Sequence, residues 1–397
     1  MFLKGTELMF EEELQQLKDS CLYRQVKSLR STGAVTAVWQ GREIILFCGN
    51  DYLGLTRHPR VTRAAKRAID QTGTGSGAAR LISGTAEVHT QLEEKIARVR
   101  KREKALIFSA GYLANLGVLS ALAGPEDLIV MDKLCHASLI DGARLSGAKL
   151  RVFPHRNYAR CEEILKQESG AGRRLLVSDT VFSMDGDLAD FKELIRLKQT
   201  YRCLWVADDA HGMGVLGQNG GGALEDAGVE KEADVITGTL SKALGSIGGF
   251  AAGSASLIDY LVNRARPFIF ATAPAPSACA AALEALDIIE EEPEHRMMLW
   301  RNIQRMHEKL KASGWPMDLI QSPILPLMIG KEGDALALSE SLLGLGYFVP
   351  AIRYPTVAKG KARLRVTVSA AHTPDQIEAF VEALNGLKTQ LAEAPQP

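Results

Sequence analysis

Short apolar runs alternate with amphipathic stretches over most of the chain, from about Glu43 to Pro276. Runs that are almost wholly apolar are typical of strands covered on both faces, and the stretches between them have helical spacing. Strands that alternate with helices predict a parallel, helix-covered sheet with right-handed crossovers. The predicted strands of this region are 44–47, 105–109, 128–132, 150–153, 175–179, 203–208, 235–238 and 250–253.

The two ends of the chain have different patterns. Apolar residues at helical spacing between Phe10 and Leu22 predict a first helix. Beyond residue 276 the pattern predicts a helix at 278–292, a second helical stripe at 299–310, and strands at 324–329, 347–352 and 363–368. The last helix begins with a capping box, in which Thr373 is the cap and Gln376 follows three residues later.

These patterns together predict an α/β fold. Its large domain is built on a mostly parallel sheet, and a smaller α+β domain follows toward the C-terminus. The changes of pattern set the predicted bounds: an N-terminal helical segment at 1–45, the large domain at 46–288, the small domain at 289–390 and a tail at 391–397. A chain of 397 residues is long enough for two domains.

Composition and charge exclude several classes of protein. The chain is 46% apolar and 24% charged, with 47 basic and 47 acidic residues, so charge gives no reason to expect a general nucleic-acid or anionic-membrane binder. The N-terminus lacks the apolar run of a signal peptide, and no stretch is long enough to span a membrane. The six cysteines lack metal-site or disulfide-framework spacing, so we expect reduced thiols, a cytoplasmic location and no structural zinc.

One glycine motif suggests a nucleotide site but lacks the right context. Residues 212–217 have the spacing G-x-G-x-x-G after a predicted strand. A dinucleotide site also needs a helix that begins at this motif, whereas a further glycine-rich loop follows here. A nicotinamide-dependent oxidoreductase is therefore a minor alternative. The serine-hydrolase elbow and the H-E-x-x-H zinc motif are absent from the sequence.

Chemically capable residues follow several predicted strands. Asp208 and His211 close one strand, Lys242 lies just past another, and His136 follows a third. Ligands bind at the carboxyl ends of parallel strands, and a desolvated lysine there is a nucleophilic amine. Taken singly, each residue has an ordinary alternative: a strand end facing water, a surface lysine or a structural histidine. Residues 109–115, which lead from a strand into a helix, fit either an anion site or a plain turn.

Four segments together resemble the pyridoxal-phosphate-dependent α-oxoamine synthase family. They are GYLAN (111–115), VFSMDGD (181–187), DDAHGMGVLG (208–217) and TLSKALG (239–245). The resemblance implies the aspartate-aminotransferase-like fold (fold type I), pyridoxal 5'-phosphate as cofactor, and a homodimer whose active sites are built from both subunits. A non-catalytic protein of the same fold is disfavoured by the presence of Lys242 and Asp208.

The resemblance also implies a role for each matching residue. Lys242 would bind the cofactor covalently and later move the α-proton of the substrate, and Asp208 would pair with the pyridine nitrogen. His211 would hydrogen-bond the 3-oxygen of the ring, and His136 would stack on the ring face. The other implied cofactor contacts are Gly111, Tyr112, Ser183, Thr239, Ser241 and, across the subunit boundary, Thr272. The implied substrate contacts are Arg24, Asn50, Asp179, Arg353 and Thr356, with Arg353 holding the amino-acid carboxylate.

The segment AIRYPTV (351–357) is similar to one branch of this family in particular. That branch condenses L-alanine with a pimeloyl thioester in biotin biosynthesis and releases carbon dioxide and the free thiol. The thiol carrier would be coenzyme A or an acyl carrier protein. The alternative within the family is another synthase, such as a glycine C-acetyltransferase, because the same catalytic residues would serve it.

Overall fold

The computed structural model describes residues 2–393, with the side chains of residues 10–388. It divides into two compact units. One is the continuous segment Asn50–Trp300, and the other combines the residues up to 49 with the residues from 301 onward. No helix among the described residues is both long and apolar enough to cross a membrane.

Strands and helices alternate between residues 104 and 239 as the apolar pattern predicts, whereas the two short strands at 30–31 and 36–39 were not predicted. The strands are β1 (Arg30–Ser31), β2 (Thr36–Trp39), β3 (Arg42–Leu46), β4 (Lys104–Phe108), β5 (Leu128–Asp132), β6 (Lys149–Phe153), β7 (Arg174–Asp179), β8 (Leu204–Asp208), β9 (Val235–Thr239), β10 (Gly249–Gly253), β11 (Ile324–Gly330), β12 (Tyr347–Phe348), β13 (Ala351–Ile352) and β14 (Ala362–Thr367). The helices are α1 (Phe2–Asp19), α2 (Pro59–Thr72), α3 (Glu87–Val99), α4 (Gly111–Leu122), α5 (Ala137–Ser146), α6 (Tyr158–Gln167), α7 (Phe191–Tyr201), α8 (Ala223–Asp226), α9 (Ala255–Arg264), α10 (Arg266–Ile269), α11 (Pro276–Glu291), α12 (Glu294–Ala312), α13 (Glu332–Gly344) and α14 (Pro374–Glu393), with a 3-10 turn at Leu55–Arg57.

A seven-stranded sheet forms the centre of the 50–300 unit. Its order is β4-β10-β9-β8-β7-β5-β6, and all strands are parallel except β10, which runs antiparallel to both neighbours. Alternate residues of β5 enter different apolar clusters: Ile129 and Met131 face one, and Leu128 and Val130 face the other. Helices cover both faces, so the predicted α/β fold with a mostly parallel sheet is confirmed.

The register of the central sheet places two carboxylates side by side. Asp179 at the end of β7 is the partner of Asp208 at the end of β8, and Asp208 is in turn the partner of Thr237 on β9. The carboxyl ends of these parallel strands therefore form one polar edge. Helix α4 begins three residues beyond β4, within the predicted strand-to-helix turn at 109–115.

The other unit contains two small sheets. The order in one is β1-β2-β3-β12, and in the other β11-β14-β13. The predicted single strand at 347–352 is wrong: β12 pairs with β3, whereas β13 pairs with β14. Pro350 separates the two strands and has no N–H to donate to a ladder, so the chain changes sheets there.

The N-terminal segment also differs from its prediction as a helical segment at 1–45. Helix α1 ends at Asp19, and the side chains of Phe10, Leu14 and Leu17 are exposed rather than buried. A hairpin of β2 and β3 follows, and its turn residues Gln40 and Gly41 both have positive φ. Such a two-residue turn fits the twist of paired strands.

The grouping of chain segments follows from strand pairing. The predicted boundary at 46 falls on the last residue of β3, which pairs with β12 near the C-terminal end. The N-terminal residues therefore group with the C-terminal ones. At the other end, the capping box is present: Thr373 Oγ1 accepts from the Gln376 N–H, and Gln376 Oε1 accepts from the Thr373 N–H. Helix α14 extends through Glu393, inside the predicted tail at 391–397, and 394–397 lie outside the described residues.

Candidate active site

A cavity of about 280 Å³ opens at the carboxyl edge of the central sheet. Nine of the residues predicted from sequence or resemblance line it: Gly111, Tyr112, His136, Asp179, Asp208, His211, Thr239, Ser241 and Lys242. They come from the ends of β7, β8 and β9, from the start of α4 and from the turn before α5. The parallel register brings them together although they span more than a hundred residues of sequence.

Lys242 lies in a tight turn after β9 and points at a histidine. Its Nζ is 2.8 Å from Nε2 of His211. The turn needs a glycine at Gly245, where φ is +60° and a Cβ would lie 2.6 Å from the backbone nitrogen of Thr56. The local backbone thus fixes the direction in which the lysine leaves its turn.

Hydrogen-bond contacts lead from Asn50 through Tyr52 to His211. The hydroxyl of Tyr52 donates to Oδ1 of Asn50 at 3.1 Å and lies 2.8 Å from Nδ1 of His211. With the hydroxyl proton donated to Asn50, Nδ1 of His211 would carry the ring hydrogen and donate to the tyrosine oxygen. Nε2 of His211 would then accept from the Lys242 amine. Tyr52 was not among the predicted site residues.

Asp208 is held by two donors at the floor of the cavity. Its Oδ2 accepts from the side-chain amide of Asn115 at 2.6 Å, and its Oδ1 accepts from the N–H of Ala210 at 3.0 Å. Asn115 also donates to the hydroxyl of Ser138 at 2.9 Å, while its own Oδ1 is buried without a partner among the described residues. Asn115 and Ser138 are site residues that the sequence analysis missed.

His136 is set at the cavity wall by its role as a helix cap. Its Nδ1 lies 2.7 Å from the hydroxyl of Ser138 and accepts from the Ser138 N–H at 3.3 Å, at the start of α5. Desolvation lowers the pKa of His136; Asp208 opposes this shift, and Lys242 adds to it. The ring is therefore neutral near pH 7, and its face borders the cavity.

Asp179 lies beside Asp208 at the same edge of the sheet, and its protonation state is perturbed. Its Oδ2 accepts from the backbone N–H of His136 at 2.9 Å. Burial raises the pKa of Asp179 well above its usual value, and the neighbouring Asp208 carboxylate raises it further. Two adjacent carboxylates resist double ionisation, so the protonated form of Asp179 is favoured.

One end of the cavity is suited to an anion. Ala110, the residue before α4, provides no side-chain cap, so the first N–H groups of the helix remain available. The hydroxyls of Thr239 and Ser241 lie 2.6 Å apart beside it. Gly111 approaches Thr239 so closely that a Cβ would lie 3.1 Å from the Thr239 side chain. This anion end, the Asp208 carboxylate and the Lys242 amine line one cavity and fit pyridoxal phosphate, which has a phosphate, a basic ring nitrogen and an aldehyde.

Three predicted site residues of the same unit lie outside the cavity lining. Asn50 accepts a hydrogen bond from the Tyr52 hydroxyl, which in turn contacts His211. The backbone carbonyl of Thr272 accepts from the Ser109 hydroxyl at 3.0 Å, and Ser183 lies in the loop between the bridged residues Val181 and Leu188. None of the three therefore lines the cavity within the described part of this single chain.

The remaining predicted residues belong to the other unit, where they form a cluster of their own. Arg353 donates to the backbone carbonyls of Cys21 and, at 3.3 Å, Tyr23. Arg24 donates to the carbonyl of Tyr354 at 3.0 Å, and the N–H of Thr356 donates to the carbonyl of Arg353 at 3.0 Å. The structure thus joins Arg24, Arg353 and Thr356 to one another.

The glycine motif at 212–217 is a loop, and the next helix, α8, begins only at Ala223. The loop serves Asp209 instead: a Cβ on Gly212 would lie 2.1 Å from the Asp209 carboxylate. Asp209 is fully buried and pairs with Arg100 at 2.7 Å. The neighbouring aspartates therefore differ in role, since Asp208 faces the cavity and Asp209 anchors the loop.

Comparisons with known proteins identify the family of this chain. The aminotransferase class I and II family matches the chain over residues 42–384. A protein of Desulforudis audaxviator is 50% identical over 374 residues, covering 94% of this chain and 97% of the relative. The 8-amino-7-oxononanoate synthase of Methylococcus capsulatus is 46% identical over 372 residues, covering 94% and 96% respectively.

Solved structures share the fold across almost the whole chain. A serine palmitoyltransferase variant from S. paucimobilis with a bound PLP–myriocin adduct superposes with a TM-score of 0.92 at 30% identity, covering 96% of this chain and 97% of that one. The 8-amino-7-oxononanoate synthase of Francisella tularensis superposes with a TM-score of 0.76 at 29% identity, covering 88% and 99% respectively.

Proposed function

This chain belongs to the aminotransferase class I and II family, and we propose that it condenses L-alanine with a pimeloyl thioester to give 8-amino-7-oxononanoate, carbon dioxide and the free thiol. The observation that carries the proposal is the contact between Lys242 and His211 in the cavity that Asp208 also lines. The identity of the reaction rests on relatives named for it at 41–46% identity over more than nine-tenths of the chain.

Different residues of the cavity would bind different parts of the cofactor. When bound, pyridoxal phosphate supplies an electron sink that stabilises negative charge at the α-carbon of the substrate. Asp208 would lie against the ring nitrogen and keep it protonated, because an ion pair of this kind shifts a pKa by about 1–3 units. The N-terminus of α4, Thr239 and Ser241 would hold the phosphate. His136 would cover one face of the ring, and Lys242 would bind the aldehyde carbon.

Lys242 is also the group that would move the proton at the α-carbon. A lysine serves as a base only when its amine is neutral and correctly aimed. His211 Nε2 accepts a hydrogen bond from the amine and holds it 2.8 Å away, and Tyr52 fixes the tautomer that makes this possible. We therefore assign Tyr52 a positioning role through His211 rather than a direct part in the chemistry.

Arg353 would hold the carboxylate of L-alanine. Burial lowers the pKa of Arg353 and the neighbouring charge of Arg24 lowers it further, while Glu340 and Glu332 oppose the shift. The two neighbouring guanidinium groups suit an anion. The planar guanidinium of Arg353 can bind a carboxylate through two parallel hydrogen bonds. Arg24, Thr356, Asn50 and Asp179 are the proposed contacts for the rest of the two substrates.

The active form would be a cytoplasmic homodimer with shared sites. Thr272 lies outside the cavity lining of its own chain, which agrees with a contact to the cofactor of the neighbouring subunit. A two-fold pair is the commonest closed assembly, and it would bring both Thr272 residues to equivalent positions.

The dimer proposal is tested by mixing two inactive proteins. Lys242→Ala and Thr272→Ala subunits are expected to be weakly active or inactive alone. After the two subunits are refolded or exchanged together, each mixed dimer contains one site with both Lys242 and Thr272 intact. Random pairing makes half of the dimers mixed, so the activity of the mixture should return toward one quarter of the wild-type value per chain. No recovery in mixtures that chromatography shows to contain mixed dimers would contradict a shared site.

A sibling condensation is the second candidate, because the serine palmitoyltransferase structure superposes more fully than the named synthase structure. The two functions are separated by measuring thiol release and product mass with three substrate pairs: L-alanine with pimeloyl-CoA, glycine with acetyl-CoA, and L-serine with palmitoyl-CoA. We expect kcat/KM to be highest for the first pair. A higher value for either other pair would overturn the proposal.

The thiol-release assay also tests the role of Lys242. Lys242→Ala should release thiol on the order of 100- to 10,000-fold more slowly and should lose the visible absorption of the lysine-bound cofactor. Lys192→Ala, which changes an exposed lysine at the start of α7, should behave as wild type.

Repeating the assay of L-alanine with pimeloyl acyl carrier protein in place of pimeloyl-CoA shows which carrier gives the higher kcat/KM.

A further inference from the structure

Two histidines and one glutamate from distant parts of the chain meet outside the cavity described above. His58, Glu292 and His295 place one possible ligand atom each within 4.8 Å of the others. Nε2 of His295 is 3.3 Å from Oε2 of Glu292, and Nε2 of His58 is 3.9 Å from the same oxygen. The two imidazole rings meet edge to face at 5.5 Å.

These spacings match the coordination shell of a small metal ion. In a tetrahedral zinc site with bonds of about 2.0–2.2 Å, neighbouring ligand atoms lie roughly 3.3–3.5 Å apart. The glutamate–histidine distances are close to this range, so small side-chain rotations would bring all three atoms to one centre. Two imidazoles with one carboxylate are a known zinc ligand set, and it leaves one position for water.

Neighbouring groups orient the carboxylate toward the histidines. Nη1 of Arg60 donates to Oε1 of Glu292 at 2.8 Å, which leaves Oε2 facing the imidazoles. The charge of Arg60 is itself offset by Glu284 at 2.7 Å and Glu291 at 2.8 Å. Arg63 is the second guanidinium near His58, so the three carboxylates around Arg60 outnumber the two guanidinium groups, which favours a bound cation.

His58 has a further feature of a ligand position. Its Nδ1 is buried and has no hydrogen-bond partner among the described residues, in the turn that leads into α2. A buried imidazole nitrogen without a partner is uncommon, because an unmade hydrogen bond carries a desolvation cost. Coordination at either nitrogen would compensate part of that cost.

We propose that His58, Glu292 and His295 form a binding site for a divalent transition-metal ion of the zinc type. The ion would join the N-terminus of α2 to the turn between α11 and α12. The site is distinct from the pyridoxal-phosphate cavity and does not depend on the proposed reaction. Its role would be to clamp these three helix ends, since structural metal sites contribute directly to folding stability.

The proposal is tested by zinc titration of the purified, chelator-treated holoenzyme in a calorimeter. We expect one tight site per chain in the wild type. His295→Ala and Glu292→Gln should lower its affinity on the order of 10- to 100-fold or more, the range typical for weakened metal sites. His307→Ala is the matched control, because His307 lies on the same helix and bonds only the carbonyl of Asp318 in the described contacts.

Substitution with Co²⁺ gives an independent readout, because tetrahedral cobalt has visible absorption that can be compared between variants. Zinc should also raise the melting temperature of wild type and His307→Ala, but not that of His295→Ala. Equal zinc affinity in wild type, His295→Ala and Glu292→Gln would overturn the proposal. So would the absence of micromolar binding to wild type.

Discussion

The cofactor cavity and the arginine cluster are built in contrasting ways. In the 50–300 unit, the reactive side chains leave from the ends of buried strands, and each is held by another side chain or by the backbone at 2.6–3.1 Å. In the other unit, Arg353 and Arg24 leave from short, irregular segments and bind only backbone carbonyls in the described contacts. The first region is organised before any ligand arrives. In the second region, the arginines are bonded to backbone carbonyls that a ligand can replace.

The contrast assigns different tasks to the two regions. Preorganised groups suit the reaction step, because they need no rearrangement when charge develops. Arginines bound to carbonyls suit recognition, because an incoming carboxylate offers a charged acceptor in place of a neutral one. Substitutions in the cavity should therefore lower kcat, and substitutions in the arginine cluster should raise KM.

The largest effect is expected from the aspartate pair. Asp208→Asn removes the charge against the ring nitrogen, and kcat/KM should fall about 10- to 1,000-fold with little change in thermal stability. Asp209→Asn instead leaves Arg100 buried without its partner, so unfolding free energy should fall by about 3–5 kcal/mol. Kinetics and chemical denaturation of both variants check this division, and a stability loss of equal size in both would contradict it.

The arginine cluster gives the next largest effect. Arg353→Lys keeps the charge but loses the planar pair of donors, so KM for L-alanine should rise about tenfold, equivalent to roughly 1.4 kcal/mol. The measurement is steady-state kinetics at saturating thioester. If kcat falls by the same factor while KM is unchanged, Arg353 acts in the reaction step and the contrast between the regions breaks down.

Tyr52→Phe tests the positioning chain at the edge of the cavity. The variant loses one hydrogen bond to His211, so kcat should fall about 3- to 10-fold, as expected for 0.5–1.5 kcal/mol. The pH at which the visible absorption of the bound cofactor changes should move as well, because His211 is free to change tautomer. If both kcat and the spectral titration are unchanged, Tyr52 has no positioning role toward His211.

The smallest effect is expected at His155, which is not among the residues that line the cavity. His155 bonds Asp132 at 3.0 Å and Asp187 at 2.9 Å. Burial lowers the pKa of His155, but the hydrogen bonds that the ring donates to Asp132 and Asp187 outweigh burial and raise the pKa to about 9. Since the folded value exceeds the unfolded one of about 6.5, the stabilisation is complete below pH 6.5 and is lost as pH rises through 9.

His155→Gln should therefore be destabilised at pH 6 and approach wild-type stability above pH 9.5. Urea unfolding across this range measures the difference, with activity per folded molecule as a second readout. Because His155 supports the cavity without lining it, that activity should stay constant. A stability difference independent of pH would show that the ring acts only by packing.

The sequence predicts the cavity better than it predicts the other unit. Asp208 and Lys242 each follow a strongly apolar strand, and parallel pairing brings the ends of such strands together whatever their separation in sequence. Tyr52, Asn115 and Ser138 were missed because their roles depend on side-chain directions within three dimensions, and tyrosine, asparagine and serine are common in turns and on helices. Only the helical offset of Asn115, four residues after Gly111, gave a hint that both face the same side.

The small sheets were predicted less well because their strands are short and their partners are distant. Strand β12 has two residues and pairs with β3, about three hundred residues earlier. No local sequence pattern indicates such a distant pairing. The hairpin of β2 and β3 had a local signal in its two-residue turn, but the weak alternation of Thr36–Trp39 obscured it. The helix at the N-terminus was predicted from spacing alone, and spacing does not tell whether a partner covers the apolar face.

The pairing of β3 with β12 also has a consequence for the order of events at the ribosome. Residues 50–300 emerge together and can complete their sheet while the chain is still growing, since domains generally fold as units during synthesis. Strand β3 emerges earlier than all of them, yet its partner β12 is translated about three hundred residues later. The nascent hairpin of β2 and β3 therefore spends most of translation with one unpaired edge, which is the segment of this chain that a chaperone has most reason to shield.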